Sequence, residues 1–198
     1  EANIQLNGNL LHNGEIVATG AVNGHYKLGD TKGFNGEINA NVVKDVDLTE
    51  DPRFHYCLEV CSSFKTVINQ NKVESANGGF KLRADEIPNG NKQALRIGFT
   101  GDWNKTKGFN AEGNINVLTD LKVGEGDTYK FYIAEGSAGT AKVSGAKVTR
   151  LSGNLTLNVK KAEETFAKGE FNLDYDHTDA NAKLNCDGKV NLLVRTEV

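Results

Sequence analysis

The residues of this chain best suited to chemistry are three cysteines, Cys57, Cys61 and Cys186, and four scattered histidines, His12, His25, His55 and His177. An odd number of cysteines leaves at least one thiol unpaired within a monomer. Cys57 and Cys61 make a poor disulfide on a strand, where their Cα atoms lie roughly 13 Å apart. Cys186, on the apolar side of its run, is free to pair with either. The remaining thiol has three fates: inert burial as a small hydrophobe, a bond to a second molecule, or covalent attachment to a ligand. Cys57-x3-Cys61 beside His55 lacks a second close pair to complete a zinc tetrahedron, so no metal is expected. The run Asp174-Tyr175-Asp176-His177-Thr178-Asp179 is rich in oxygen ligands. It lacks the glycine and terminal glutamate of a calcium loop and reads as a solvated turn. No catalytic motif is present: Ser137 has Glu135 where a nucleophile elbow needs glycine, and there is no phosphate loop or dinucleotide fingerprint. The expectation is a protein that is not an enzyme, with no catalytic residues; His55 and His177 are the histidines to test otherwise.

The elements that must position these residues are strands. Apolar and polar residues alternate with a period of two through most of the chain. Ile115 and Val117 oppose Asn114 and Asn116; Leu155, Leu157 and Val159 oppose Asn154, Thr156 and Asn158; Phe171, Leu173 and Tyr175 oppose Asn172 and Asp174. Near the C-terminus Leu184, Cys186, Val190 and Leu192 oppose Asn185, Asp187, Lys189 and Asn191. One wet and one dry face per strand marks antiparallel sheet. Asn7-Gly8, Asn13-Gly14, Asn23-Gly24, Asn77-Gly78, Asn89-Gly90, Gly124-Glu125-Gly126 and Asp187-Gly188 supply turn or bulge signals. Residues 50–68 read two ways. Thr49-Glu50-Asp51-Pro52 followed by Phe54, Cys57, Leu58, Cys61, Phe64 and Ile68 has helical spacing, whereas Phe54, Tyr56, Leu58 and Val60 alternate as a strand.

A repeat runs inside the chain. Thr31-Lys32-Gly33-Phe34-Asn35-Gly36-Glu37 returns as Thr106-Lys107-Gly108-Phe109-Asn110-Ala111-Glu112, each copy leading into a strand, and Ala167 to Asn172 is a looser third copy. Two accounts fit the repeat: similar hairpins converge on similar turn chemistry, or the sheet grew by repeating one unit. With no linker or composition shift, residues 1–198 form a single antiparallel β domain with internal hairpin repeats at 31–42 and 106–117. A chain of this length is able to bury roughly 70% of its unfolded surface in a core.

A net charge of −3 carries no footprint of nucleic acid or of an anionic membrane, and no apolar run spans a bilayer. The chain contains no methionine. With sequons at Asn104-Lys105-Thr106 and Asn154-Leu155-Thr156, this points to a processed, secreted glycoprotein, with Asn104 and Asn154 the glycosylation candidates. The odd cysteine and broad sheet edges are compatible with a homodimer. The dry faces, rich in Phe, Tyr, Leu, Ile and Val, define the default ligand site, with a fully packed ligand-free core as the alternative.

Gly153–Lys160, Gly169–Tyr175 and Gly188–Val194 resemble the amphipathic strands of large lipid transfer proteins: the vitellogenins, apolipophorins and arthropod clotting proteins. The resemblance is of pattern, and this chain lacks their helical domain. It implies an all-β fold: a large antiparallel amphipathic sheet curved into a sandwich or barrel-like lipid-binding shell. It further implies a non-catalytic extracellular carrier of hydrophobic ligands. A free-standing relative in insect haemolymph would hold pigments, a biliverdin-like bilin and a lutein-like carotenoid, giving body coloration. The alternatives are a lipid carrier or a structural or adhesive β-sandwich. Ligand contacts then fall on Cys57, Cys61, Cys186, His55, Tyr56, Trp103, Phe131 and Tyr175, with Arg53, Arg83, Arg96, Arg150 and Arg195 available for bilin propionates.

Overall fold

Alternating sequence becomes alternating structure. In the computed structural model, residues 1–29, 32–50, 52–87, 92–145, 147–177 and 182–193 are described. They form one antiparallel sheet of fifteen strands that does not close into a barrel. In chain order these are β1 Ala2–His12, β2 Glu15–Lys27, β3 Gly33–Val42, β4 Val46–Glu50, β5 Phe54–Leu58, β6 Ser63–Asn69, β7 Lys72–Glu86 and β8 Lys92–Asn104. There follow β9 Gly108–Val117, β10 Leu121–Glu125, β11 Tyr129–Ile133, β12 Ala138–Ser144, β13 Lys147–Lys161, β14 Glu164–Asp176 and β15 Lys183–Leu192. The register of β3 with β6 runs on without offset into that of β4 with β5, and that of β9 with β12 into β10 with β11. β3 and β4 are thus one kinked strand, as are β5 and β6, β9 and β10, and β11 and β12. The sheet is an up-and-down meander in which every strand lies beside its sequence neighbours.

The hairpin repeat of the sequence is one corner of a larger unit. Strands of 13, 10, 5, 5, 7 and 15 residues, β2 to β7, are followed by strands of the same six lengths, β8 to β13. β14 and β15 begin a third series with 13 and 10 residues. The kinks repeat in atomic detail. The Asp45 carboxylate accepts the Val60 N–H at 2.7 Å, and Asp120 accepts the Glu135 N–H at 3.1 Å. The Ser62 hydroxyl accepts the Lys81 N–H, and Ser137 that of Thr156, each at 3.0 Å. Cys61 and Gly136 take the same left-handed backbone, φ 73° and 84°. A bulge falls at the same place in β2, β8 and β14, where Val17, Ala94 and Phe166 are skipped in the register.

The structure decides between open readings and changes others. Among the described residues of 50–68 the strand reading holds and no helix forms: Val46–Glu50, Phe54–Leu58 and Ser63–Asn69 are strands, and the helical spacing arises from the kink at 59–62. The segment Ala167 to Asn172 lies in β14, the place of β2 and β8, so the true third counterpart of Gly33–Val42 is β15. Asn7-Gly8, Asn23-Gly24, Asn77-Gly78 and Asp187-Gly188 lie inside strands, and Asn13-Gly14 is a hairpin tip. Asn89-Gly90, Asp51, Thr178-Asp179 and Arg195 fall outside the described residues. Finally, no large core forms among the described residues. The buried apolar ones among them are Val17, Cys57, Ala84, Ala94, Val117, Ala134 and Ala167, mostly small. The chain exposes 12974 Å², where a compact monomer of its mass exposes about 9,100 Å². The sheet is a single layer.

The kinks hold what burial there is. Ser62 is itself buried, so Ser62→Ala strands the Lys81 N–H without a partner. It should cost about 1–3 kcal/mol in urea unfolding, and a change within error would show that the kink is not held this way.

Candidate functional site

Because the layer is single, each face is read directly from the register. Leu82, Ile97, Ile115, Gly139, Gly153, Leu173 and Cys186 form one unbroken cross-strand row over seven strands. The opposite face carries Lys81, Gly98, Asn114, Thr140, Ser152, Asp174 and Asn185 in the neighbouring row. One face is therefore aliphatic and aromatic and the other amide, hydroxyl and charge. Nothing covers the apolar face among the described residues: Leu6 is 62% exposed, Phe131 45%, Ile115 42% and Leu184 65%. Apolar patches on ordinary monomers reach a few hundred Å²; this one extends across the whole sheet.

Phenylalanines lie flat over glycines on that face. An added Cβ at Gly24 or Gly36 would meet the Phe34 ring at 2.7 Å, and one at Gly188 or Gly169 the Phe171 ring at 2.7 or 2.9 Å. The rings shield backbone that has no side chain of its own, which explains why Asn-Gly pairs sit inside strands. Phe80 and Phe99 stack at 5.3 Å. They form the shared border of two shallow hollows on this face. One, of about 470 Å³, reaches Phe64, Trp103 and Phe109; the other, of about 770 Å³, reaches Leu151, Phe171 and Cys186.

The polar face has one dense cluster. The kinks bring Asp45 and Glu59 over Arg83 and Arg96: Arg83 meets Asp45 at 3.1 Å and Asp85 at 2.9 Å, and Arg96 meets Glu59 at 3.0 Å. Beside it the Cys57 thiol donates to Asp47 Oδ1 at 3.2 Å, and His55 Nε2 lies 3.1 Å from the same oxygen. Burial first, and the bond to Asp47 second, push the thiol up to about 11. Both effects favour the protonated thiol over the thiolate. In the second unit Lys160 meets Asp120 at 2.9 Å. Burial opposes ionisation of Asp120, but the Lys160 ammonium and the Glu135 N–H outweigh it and keep its pKa lowered.

The sequence-derived ligand residues divide between the faces. Tyr56, Trp103, Phe131, Tyr175 and Cys186 share the apolar side through their registers. Cys57 and His55 belong to the polar side, away from the apolar surface, and Cys61 occupies the kink between β5 and β6. Arg83, Arg96 and Arg150 are also on the polar face, and Arg53 stacks over Phe54 at 4.8 Å. All three cysteines are free thiols. Asn104 and Asn154 are exposed or half-buried with the polar side chains. Among the described residues there is no metal-ligating group of three, and no helix is long and apolar enough to cross a membrane. Sequence reasoning missed the Asp45–Glu59–Arg83–Arg96 cluster; the recurrence of Asp45 as Asp120, 75 positions on, was its available signal.

Compared with models of known families, with curated proteins and with solved structures, the chain matches none.

Two predictions follow from this geometry. At neutral pH, Cys61 and Cys186 should react with a maleimide at once and Cys57 only on unfolding, read by mass spectrometry; three fast thiols would contradict the arrangement around Asp47. Gly36→Ala, whose Cβ would sit 2.2 Å from the Asn23 carbonyl oxygen, should destabilise by about 1–3 kcal/mol, measured by denaturant unfolding.

Proposed function

We propose that this chain is a non-catalytic carrier of hydrophobic molecules, acting outside the cell, and that its cargo is lipid held against the apolar face. The observation that carries this reading is the apolar surface that spans the sheet and is left uncovered among the described residues. A water-exposed surface of that extent costs free energy in proportion to its area, and lipid acyl chains remove that cost without a second protein layer. The resemblance to the amphipathic sheets of large lipid transfer proteins supports the same reading. A pigment cargo, a bilin with a carotenoid, is favoured by one observation: Cys186 is a free, exposed thiol at the rim of the larger hollow, placed to bond a bilin vinyl group. Export and glycosylation at Asn104 and Asn154 belong to this proposal.

Organic extraction of the purified protein followed by mass spectrometry should release lipid in amounts well above one molecule per chain. An absorbance spectrum of the same sample separates pigment from colourless lipid. Ile115→Lys, in the centre of the face, should leave the far-ultraviolet spectrum unchanged and abolish lipid uptake. Loss of the folded sheet in that variant would instead mean that Ile115 belongs to a packed sandwich core, and would overturn the carrier reading.

A further inference from the structure

Tyr26, Trp103 and Tyr175 are each the penultimate residue of their strands, β2, β8 and β14. They therefore recur once per structural unit, at one end of the sheet. All three lie on the apolar face, opposite Phe34, Phe109 and Leu184. The register descends four residues between successive members. Trp103 is level with Ile38, four positions along from Phe34, and Tyr175 is level with Gly113, four positions along from Phe109. Four residues of rise, roughly 13 Å, over four strands, roughly 19 Å, set this row at about 35° to the perpendicular of the strands. The regular step makes it a straight row on the hydrogen-bonded lattice of the sheet.

The three side chains share a property: an apolar ring with a polar handle, the type enriched where hydrocarbon meets water. Among the described residues, none of the three handles is bonded to another group of the chain. Just beyond Trp103 the chain turns polar and basic, whereas Tyr175 is followed by Asp176 and Lys27, after Tyr26, is paired with Glu1 at 3.5 Å. Lys105 and Lys107 occupy the turn after Trp103, and Lys72 opens the adjacent β7. Of the acids near Trp103, Glu74 pairs with Lys105 at 3.6 Å and Asp102 accepts from the Asn110 amide at 3.1 Å. The overall charge of −3 conceals this local excess.

We propose that this row is a lipid anchor: Tyr26, Trp103 and Tyr175 mark the level at which the apolar face meets the headgroups of an anionic phospholipid layer, with Lys72, Lys105 and Lys107 facing those headgroups. The inference rests on the lipid reading of the apolar face and adds to it a surface, an orientation and a charge preference. The bonding capacity of the indole N–H and the two hydroxyls is met by headgroup oxygens and interfacial water, while the rings stay in hydrocarbon.

Trp103 is the single tryptophan, so its fluorescence reports on the row directly. The full chain is mixed with phosphatidylcholine vesicles, with or without phosphatidylserine. With phosphatidylserine the vesicles should carry the protein on flotation and shift Trp103 emission to the blue. Acyl chains brominated near the headgroup should quench it more than chains brominated near the methyl end. A Tyr26→Trp, Trp103→Phe variant should give the same depth. Lys105→Gln with Lys107→Gln should weaken binding to phosphatidylserine vesicles about thirtyfold, from roughly fivefold per lysine, with an unchanged far-ultraviolet spectrum. Deepest quenching at the methyl end, or affinity indifferent to both phosphatidylserine and the lysine pair, overturns the anchor. If lipid is extracted from the purified protein but vesicles are not bound, the anchor fails and the carrier reading stands; if neither is found, both fail.

Discussion

The structure depends on one imbalance: a two-residue alternation puts nearly every large apolar side chain on the same side of a sheet that has no second layer. In a sandwich that side would be sealed by another sheet, and in a barrel by the sheet's own curvature. Here the meander spreads eleven strand positions side by side, about 48 Å at the usual strand spacing. Backbone hydrogen bonds join the strands, but the hydrophobic term that normally offsets the entropy of ordering the chain is largely unrealised. On the proposed reading, cargo laid on the apolar face from outside supplies it, and folding and ligand binding are two views of the same burial.

Repetition of one unit explains how so wide a sheet keeps its register. A one-residue slip would turn every apolar side chain to the wet face, and the kinks prevent it. At each, an aspartate takes a backbone N–H and a buried serine takes another, in Asp45 and Ser62 and again in Asp120 and Ser137. The charged groups around the first kink are expensive to bury and are retained in mutual contact, Arg83 among Asp45, Asp85 and Glu59. Such a cluster has one good arrangement, which makes it a register pin. Glycines under Phe34 and Phe171 serve the apolar side differently, leaving room for rings to lie flat so that the face is low in relief.

Much of this was legible in the residues. The alternation of Leu155, Leu157 and Val159 with polar neighbours, and of Phe171, Leu173 and Tyr175, led directly to antiparallel strands with one dry face. The pair of heptapeptides beginning at Thr31 and Thr106 carried the 75-residue spacing of the whole unit. Of the two readings of residues 50–68 the strand one holds; the helical one arises because the four-residue kink between β5 and β6 sets Leu58, Cys61, Phe64 and Ile68 at helical intervals on strands. Asn-Gly is the strongest hairpin signal, so the sequence leaves open which pairs are tips and which lie inside strands, and the Phe rings above show the use of the interior ones. The absence of a second layer was not legible, since a strand facing a partner sheet and a strand facing lipid carry the same alternation. Nor was the side of Cys57 and His55: an alternating run names two faces without saying which is covered.

The central claim is that lipid, not protein, covers the apolar face. Sedimentation of the purified native particle in solvents of graded density measures it most directly, because bound lipid lowers the buoyant density below that of protein. The account predicts a particle lighter than protein that aggregates when its lipid is removed with detergent. A lipid-free, soluble 21.4 kDa monomer of ordinary protein density that unfolds cooperatively would contradict it.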